Sequence, residues 1–556
     1  MTRWKHRFVI VEASVVLLAI AAVVAGSRAA APDVGADVDR VFERWTTATP
    51  GCAVGAAVDG KSILAKAYGM ADLEHDVRNT PDTVFEAGSV SKQFTAAAVL
   101  LLAREGKLSL DDPARKYVPE LRDYGTPLLI RHMLNHTSGL RDWGSIEAIA
   151  GWPRTSRVYT HAHVLDIVAR QRALNFTPGT RWSYSNTGYN LAAVIVSRAS
   201  GTPFAVFTQQ RLFEPLGMTH TSWRDDHTRV VKNRAIAYSD RRDGFHIDMP
   251  FEDIHGNGGL LTTVGDLLKW NENFVSPRIG DAEFVAEQQQ PGRFNDGRAH
   301  NYALGLQVGT YKGVQQVDHS GSTAGYRAHL ARYPDQHVSV AVLCNASTGA
   351  AAQYARAVAD LYLGDRAKTT AATAAVHTAT DSDADRLVGL YRNTSTGVPL
   401  TIVRDKDGLR IDRGNALVAT TPLHFVAANG QTWAFDGRGS AREVDAFGTV
   451  DAYERVIAAK PTPERLAELA GDYTSDEAET TLTVAVEDGS LVVKRRPDTK
   501  LALTPIYGDT FRGGELGLVM FRRNAAGRVT ELSVVQDRVW DLRLLRQPAS
   551  AKTSSQ

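Results

Sequence analysis

Cysteine is almost absent from this chain: Cys52 and Cys344 are the only two in 556 residues. Their spacing excludes a zinc knuckle. An excess of charge of either sign is lacking too. Lys plus Arg number 63 against 62 Asp plus Glu, a formal net charge of +1, with no basic block and no basic–aromatic interleaving. Nucleic acid is therefore not an implied partner. Long apolar runs are confined to the N-terminus, and no later segment is apolar enough to span a membrane. What remains is a chain with 43% apolar residues, long enough to bury several cores.

The N-terminus carries an address. Thr2-Arg3-Trp4-Lys5-His6-Arg7 is basic, Phe8 to Gly26 is apolar apart from Glu12 and Ser14, and small residues follow through Ala29-Ala30-Ala31-Pro32. This is the layout of a secretory signal peptide over residues 1–29, cleaved near Ala29. Export to a periplasmic or secreted location is expected. The alternative is an uncleaved N-terminal membrane anchor, with Glu12 as a cost. No cysteine lies near the cleavage region, so lipid anchoring is not supported.

Three short motifs carry the chemistry. Each is weak alone; their order and separation make the signal. The first is Ser89-Val90-Ser91-Lys92. Val90, Phe94, Ala97, Ala98 and Leu101 recur at helical spacing, which predicts a helix over 89–104 with Ser89 in its first turn and Lys92 one turn on. A free serine hydroxyl is a poor nucleophile, so it needs a neighbour to take its proton. Lys92 serves only if burial or a nearby positive charge lowers its pKa. An isolated match of this kind is more often a serine cap with a solvated lysine behind it.

The second motif is Tyr184-Ser185-Asn186, delivered on a short loop after the Pro178-Gly179 turn and before a buried helix from Tyr189 to Val196. Tyr184 places a phenol near Ser89, and a phenolate held by two cations is a base. Asn186 offers an amide to orient Lys92 and a substrate carbonyl. The third motif is His319-Ser320-Gly321-Ser322 at the end of a strand begun at Val314, with the next strand beginning at Thr323. Gly321 lets the backbone approach a ligand closely. The amide of Ser322 then joins that of Ser89 as an oxyanion hole. His319 adds positive or hydrogen-bonding character beside the serine.

Together these residues resemble the serine β-lactamase and penicillin-binding-protein superfamily, in which Ser-x-x-Lys supplies the nucleophile. The resemblance is closest to the class C β-lactamase-like branch, with its D-aminopeptidases, D-alanyl-D-alanine carboxypeptidases and esterases. It spans roughly 38–364 and includes the 50–60 hairpin with its Asp59-Gly60 turn, Thr83 to Gly88, Leu134 to Leu140 and Gly258 to Thr263. Many members carry Lys-Thr-Gly where this chain has His319-Ser320-Gly321. The change removes a permanent charge, which weakens the case for carboxylate-terminated substrates and favours the D-aminopeptidase and esterase-like members. The resemblance also makes the strands of Cys52 and Cys344 neighbours. A disulfide between them and two buried free thiols both stay open.

Beyond the catalytic unit, 366–384 is rich in Ala, Thr and Asp and reads as a linker. A repeat follows. Leu387-Val388-Gly389-Leu390-Tyr391 recurs as Leu469-Ala470-Gly471-Asp472-Tyr473, and Thr421-Pro422-Leu423 as Thr504-Pro505-Ile506. Units on the order of 80 residues with Asp-Gly turns predict two antiparallel β-barrels. Some D-aminopeptidase-like relatives are similar in having trailing barrels that press a loop onto the active site. Gly508 to Glu515 is the glycine-rich candidate here, with an ordinary hairpin connection as the commoner explanation.

The expected architecture is α+β: signal peptide 1–29, β-lactamase-like domain 30–365, linker 366–384, barrels 385–460 and 461–548, and a disordered tail 549–556. The expected function is an exported serine hydrolase. Ser89, Lys92 and Tyr184 are catalytic, and Asn186, His319, Gly321 and Ser322 hold substrate and oxyanion. Its substrate is a small peptide or amide, D-residues included, with esters and β-lactams as alternatives. No metal or organic cofactor is implied, and the oligomeric state is open. The competing non-enzymatic reading is a sensing module that is acylated once and stops.

Overall fold

The computed structural model describes residues 34–154, 156–364, 381–406 and 408–548. The expected signal peptide, most of the expected linker and the expected tail lie outside the described residues. Residues Asp381–Leu387, placed by sequence partly in the linker, form a helix.

The catalytic unit is built on a six-stranded antiparallel sheet. In chain order its strands are β1 (Cys52–Val58), β2 (Lys61–Tyr68), β3 (Gln307–Tyr311), β4 (Val314–Thr323), β5 (Tyr326–Tyr333) and β6 (Val338–Cys344), arranged β3-β4-β5-β6-β1-β2. Asp59 and Gly60 both take positive φ, at 50° and 71°, and make the tight β1–β2 turn. Ala324, also at positive φ, and Gly325 turn β4 into β5, so the latter begins at Tyr326 and not at Thr323.

Side chains alternate across the pleat, and each face meets different helices. Cys52, Val54 and Ala56 pack against α1 (Gly35–Val41) and α5 (Ala351–Leu363), in a cluster that holds Val38, Ala355 and Val358. Ala53 and Ala57 face the other way, toward α4 (Val264–Glu272). Fully burying a side chain such as Val54 contributes about 1.5–3 kcal/mol. Cys52 and Cys344 pair across β1 and β6 and are joined by a disulfide, which resolves the open alternative.

Between this sheet and an all-helical region runs α2 (Lys92–Arg104), buried on every side from Lys92 to Leu102. Apart from Lys92, Gln93 and Thr95 it is apolar to Leu102, the composition of a core helix. The helical region includes α3 (Asn186–Ser200), which packs against α2. A short three-stranded sheet, Phe85–Glu86 with Leu260–Thr262 and Ser222–Trp223, fixes the chain just ahead of Ser89. Within it Glu86 and Arg224 form a buried ion pair at 2.9 Å. Burial pushes the Glu86 carboxyl up, and the Arg224, Arg234 and Arg154 charges outweigh it, leaving it below its ordinary value.

Two β-barrels follow. Eight strands between Gly389 and Val456 form one sheet whose edge strands touch through an Arg410–Ala416 bridge, a nearly closed barrel. Eight strands between Gly471 and Arg546 close fully, Tyr473 pairing with Arg546. The sequence repeat has a local cause. In each unit the tyrosine hydroxyl donates to the carbonyl that ends the preceding helix, Tyr391 to Leu387 and Tyr473 to Leu469. The glycine between them leaves room for an arginine of the last strand, Arg455 or Arg546.

Candidate active site

Ser89 does not sit in the α-helix proper. A 3₁₀ turn over Gly88–Ser91 precedes α2, and Ser91 closes it by donating from Oγ to the Gly88 carbonyl at 2.5 Å. The residues from 319 to 323 of β4 run edge-on against this turn. A Cβ on Gly321 would lie 2.0 Å from the Ala87 oxygen, and one on Gly88, at φ +51°, would lie 2.6 Å from the Ser322 nitrogen. Glycine at both positions is therefore a packing requirement, and it brings the amides of Ser89 and Ser322 to one wall of the cleft.

Lys92 is fully buried, and its Nζ has three oxygen neighbours: Ser89 Oγ at 3.1 Å, Asn186 Oδ1 at 2.9 Å and the Asn257 carbonyl at 2.7 Å. Burial drives its pKa far below the ordinary lysine value, and the Arg538 charge pushes it further down. A neutral amine has two N–H groups and one lone pair. The carbonyl oxygens of Asn186 and Asn257 take the two N–H groups, so the lone pair faces the Ser89 hydroxyl.

Asn186 is the first residue of α3, one turn earlier than the sequence places that helix. Its N–H is held by Asp142 Oδ2 at 2.8 Å. Asn257 is fixed through Asn190, whose Nδ2 donates to Asn257 Oδ1 at 2.6 Å and whose Oδ1 accepts from Trp143 Nε1 at 2.9 Å.

Tyr184 reaches the serine from the loop before α3. Lys92 Nζ stands 4.8 Å and Arg538 Cζ 4.7 Å from its ring centroid, and His136 packs on it at 4.1 Å. Both side chains lie against the ring. Burial raises the phenol pKa, and hydrogen bonding to Ser89 and the Arg538 charge offset only part of that rise. The group is a phenol near neutral pH, which suits it to the acid share of the work.

Of the two characters expected of His319, the structure shows the hydrogen-bonding one. Its Nε2 lies 2.8 Å from Tyr302 Oη and its Nδ1 2.6 Å from the Ser320 carbonyl. The carbonyl requires a donor at Nδ1, so Tyr302 donates to Nε2. Burial, and then the Lys92 charge, lower its pKa to about 3. The imidazole is neutral with both nitrogens engaged, so it supports the β4 wall and offers substrate no charge.

The loop from Gly508 to Glu515 does not line the cleft. Its last residues form a local turn closed by Gly513 N–H on the Gly517 carbonyl, and Glu515 pairs with Arg495 on the barrel. The second barrel enters the site elsewhere, through Arg538 in the hairpin between Val529–Gln536 and Val539–Arg546. The first barrel supports the Tyr184 loop: Trp182 stacks on Phe447 at 3.7 Å, and Arg181 pairs with Asp451.

So the structure brings all seven expected residues together and adds Asn257, Asp142, Tyr302 and Arg538.

Burial of histidine also sets the acid limit of the fold. His132, His136, His300, His319 and His329 are buried, and burial lowers all five below 6.5, to about 4 for His132 and His300 and about 3 for His319 and His329. Below pH 6.5 the unfolded chain takes up protons that the folded chain refuses, so stability falls as pH falls. Each such group contributes a slope of up to about 1.4 kcal/mol per pH unit. Asp318, raised to about 6 by burial, opposes this, as do Glu272, Glu443 and Asp445, which burial also raises. Urea midpoints are expected to drop steeply from pH 7 to pH 5. A flat profile would show that these imidazoles are protonated inside the fold.

A serine hydroxyl beside a buried amine, facing paired backbone amides, defines the chain as a serine hydrolase. Residues 38–364 match the beta-lactamase family, and the chain belongs to it. It is similar to penicillin-binding protein 4* of Bacillus subtilis, 29% identical over 52% of this chain and 67% of that protein. It is similar over more of its length to the D-aminopeptidase of Brucella ovis, 26% identical over 87% of this chain and 93% of the relative. In fold it resembles the octameric penicillin-binding protein homologue from Pyrococcus abyssi, with TM-score 0.55 and 24% identity, covering 76% of this chain and 100% of that one.

Proposed function

We propose that this chain is an exported amide hydrolase of small peptides, D-residues included, working through an acyl-enzyme on Ser89. The observation that carries the reading is the Lys92 amine, with two acceptors holding its N–H groups and Ser89 at 3.1 Å. Lys92 takes the Ser89 proton as Oγ bonds to the substrate carbonyl carbon. The amides of Ser89 and Ser322 stabilise the oxyanion, usually the largest single contribution. Asn186 orients both Lys92 and the substrate carbonyl. The carbon–nitrogen bond then breaks, with the proton passing through Lys92 and the Tyr184 phenol to the leaving amine. Water activated by the same pair releases the acid and restores Ser89. The D-aminopeptidase similarity, which covers 87% of this chain, supports amides over esters or β-lactams.

The test is a turnover screen of purified protein over D- and L-aminoacyl amides, D-Ala-D-Ala peptides, p-nitrophenyl esters and a chromogenic cephalosporin. Steady release of amine from a peptide or amide is expected. One stoichiometric acylation followed by silence would instead identify a sensor. N-terminal sequencing of the mature protein tests export, with a start near Ala30 expected.

A further inference from the structure

The cleft, about 590 Å³, is lined by three arginines, Arg154, Arg327 and Arg538, and among the described residues by no Asp or Glu. Two of the three are committed. Arg154 donates from Nε to Glu252 Oε2 at 2.8 Å, and Arg327 Nη1 donates to the carbonyls of Ala324 at 2.8 Å and Tyr326 at 2.7 Å. Among the described residues no carboxylate forms an ion pair with Arg538.

Arg538 is nevertheless fixed in place. Its carbonyl accepts from the Asp142 N–H at 3.2 Å and from Asn175 Nδ2 at 3.1 Å, and Trp540 N–H donates to Asn175 Oδ1 at 2.8 Å. Arg141, buried and paired with Glu477, also donates through Nη2 to the carbonyls of Trp540 at 2.9 Å and Asp541 at 3.1 Å. A half-buried guanidinium that lines the cleft over the Tyr184 ring, with no carboxylate ion pair among the described residues, keeps N–H donors and charge for an anion arriving beside it.

Building on the acyl-transfer reading above, we propose that Arg538 is the substrate-carboxylate receptor of this cleft, and that the residue released by hydrolysis carries that carboxylate. Its position gives the side of the cleft: it stands over Tyr184, which hands the proton to the leaving amine. The same lining argues against a substrate read by a free α-ammonium, which needs an anionic acceptor. Asp142, a buried acid that acts on Lys92 and Tyr184, already accepts from Asn186 N–H and Ser145 N–H. The charge that relatives carry as lysine on the β4 strand is thus supplied here from the second barrel, and the neutral His319 is no obstacle to an acidic substrate. The chain is then a carboxypeptidase-type hydrolase in preference to an aminopeptidase.

The experiment is competition against p-nitrophenyl acetate turnover by N-acetyl-D-Ala-D-Ala and by its C-terminal amide, in the parent, Arg538→Gln and Arg538→Lys. The acid-to-amide ratio of inhibition constants is read within each protein, because Arg538 also acts on Lys92. The acid is expected to bind about tenfold or more tighter than the amide in the parent. The ratio should collapse to near one in Arg538→Gln and be partly restored in Arg538→Lys. No preference for the acid in the parent, or an unchanged ratio in Arg538→Gln, would overturn the proposal. Absence of ester turnover and of Ser89 labelling in the parent would instead strike the acyl-enzyme reading itself.

Discussion

Ser89→Ala is expected to abolish both steady turnover and covalent labelling by a fluorophosphonate or penicillin probe, with little movement of the melting temperature. Among the described residues it is the hydroxyl that combines access to the cleft with contact to the Lys92 amine. Its other neighbours in the 3₁₀ turn do not replace it. Ser91 is fully buried and donates to the Gly88 carbonyl, so it is held away from substrate. Ser320 reaches the cleft, but its Oγ partner is His329 Nδ1 at 2.8 Å, an imidazole whose burial keeps it a weak base. Loss of the nucleophile therefore leaves, among the described residues, no serine or threonine hydroxyl bonded to the Lys92 amine. The fold should tolerate the change, since one hydroxyl at a partly open cleft contributes about 0.5–1.5 kcal/mol net. Undiminished labelling of the mutant protein would place the nucleophile elsewhere and overturn the site assignment.

The parts of this site that could be read in the sequence are those where chemistry dictates residue type. Ser89 and Lys92 must be three apart on one face, and Tyr184, Asn186 and Gly321 are each the residue their position requires. The α+β class and the two barrels were legible for a related reason. The Leu-x-Gly-x-Tyr repeat encodes a helix-ending carbonyl, a gap for an arginine and a hydroxyl that ties them.

What stayed hidden lacks a side-chain signature. Asn257 serves Lys92 through a backbone carbonyl, which any residue supplies. The state of His319 depends on Tyr302 and on burial, neither of which is written in the His-Ser-Gly motif. Glycine content pointed to 508–515, but there it makes a local turn, while the hairpin that enters the cleft carries an unremarkable Gln536-Asp537-Arg538. A loop's destination is set by how its barrel docks. Here docking rests on Arg141 with Glu477, and on Arg495 and Arg496 donating to carbonyls at the end of the helix Trp143–Ile149. None of these contacts is local in sequence.

Lys92→Met and Tyr184→Phe are each expected to lower kcat/KM by about 10²–10⁴-fold, the usual contribution of a general acid or base. The two should part company in their pH dependence. In the parent, activity requires unprotonated Lys92, so kcat/KM should fall as pH drops through its depressed pKa. Tyr184→Phe keeps that acid limb at a reduced height, whereas Lys92→Met removes it. Arg538→Gln tests the same coupling from a distance. Removing a positive charge that holds the Lys92 pKa down should move the limb to higher pH.

Stability gives an independent check on the sign. The unfolded chain protonates lysine near its ordinary value while the folded one does not, so between those values the unfolded state binds more protons and Lys92 makes the native state more stable as pH rises. Lys92→Met should flatten that dependence and raise stability near neutral pH, because a buried amine is replaced by an apolar chain of similar length. A lysine acting only as a structural hydrogen-bond donor would give the opposite pair of results. Activity would fall only in proportion to lost folding, and the acid limb would survive the substitution.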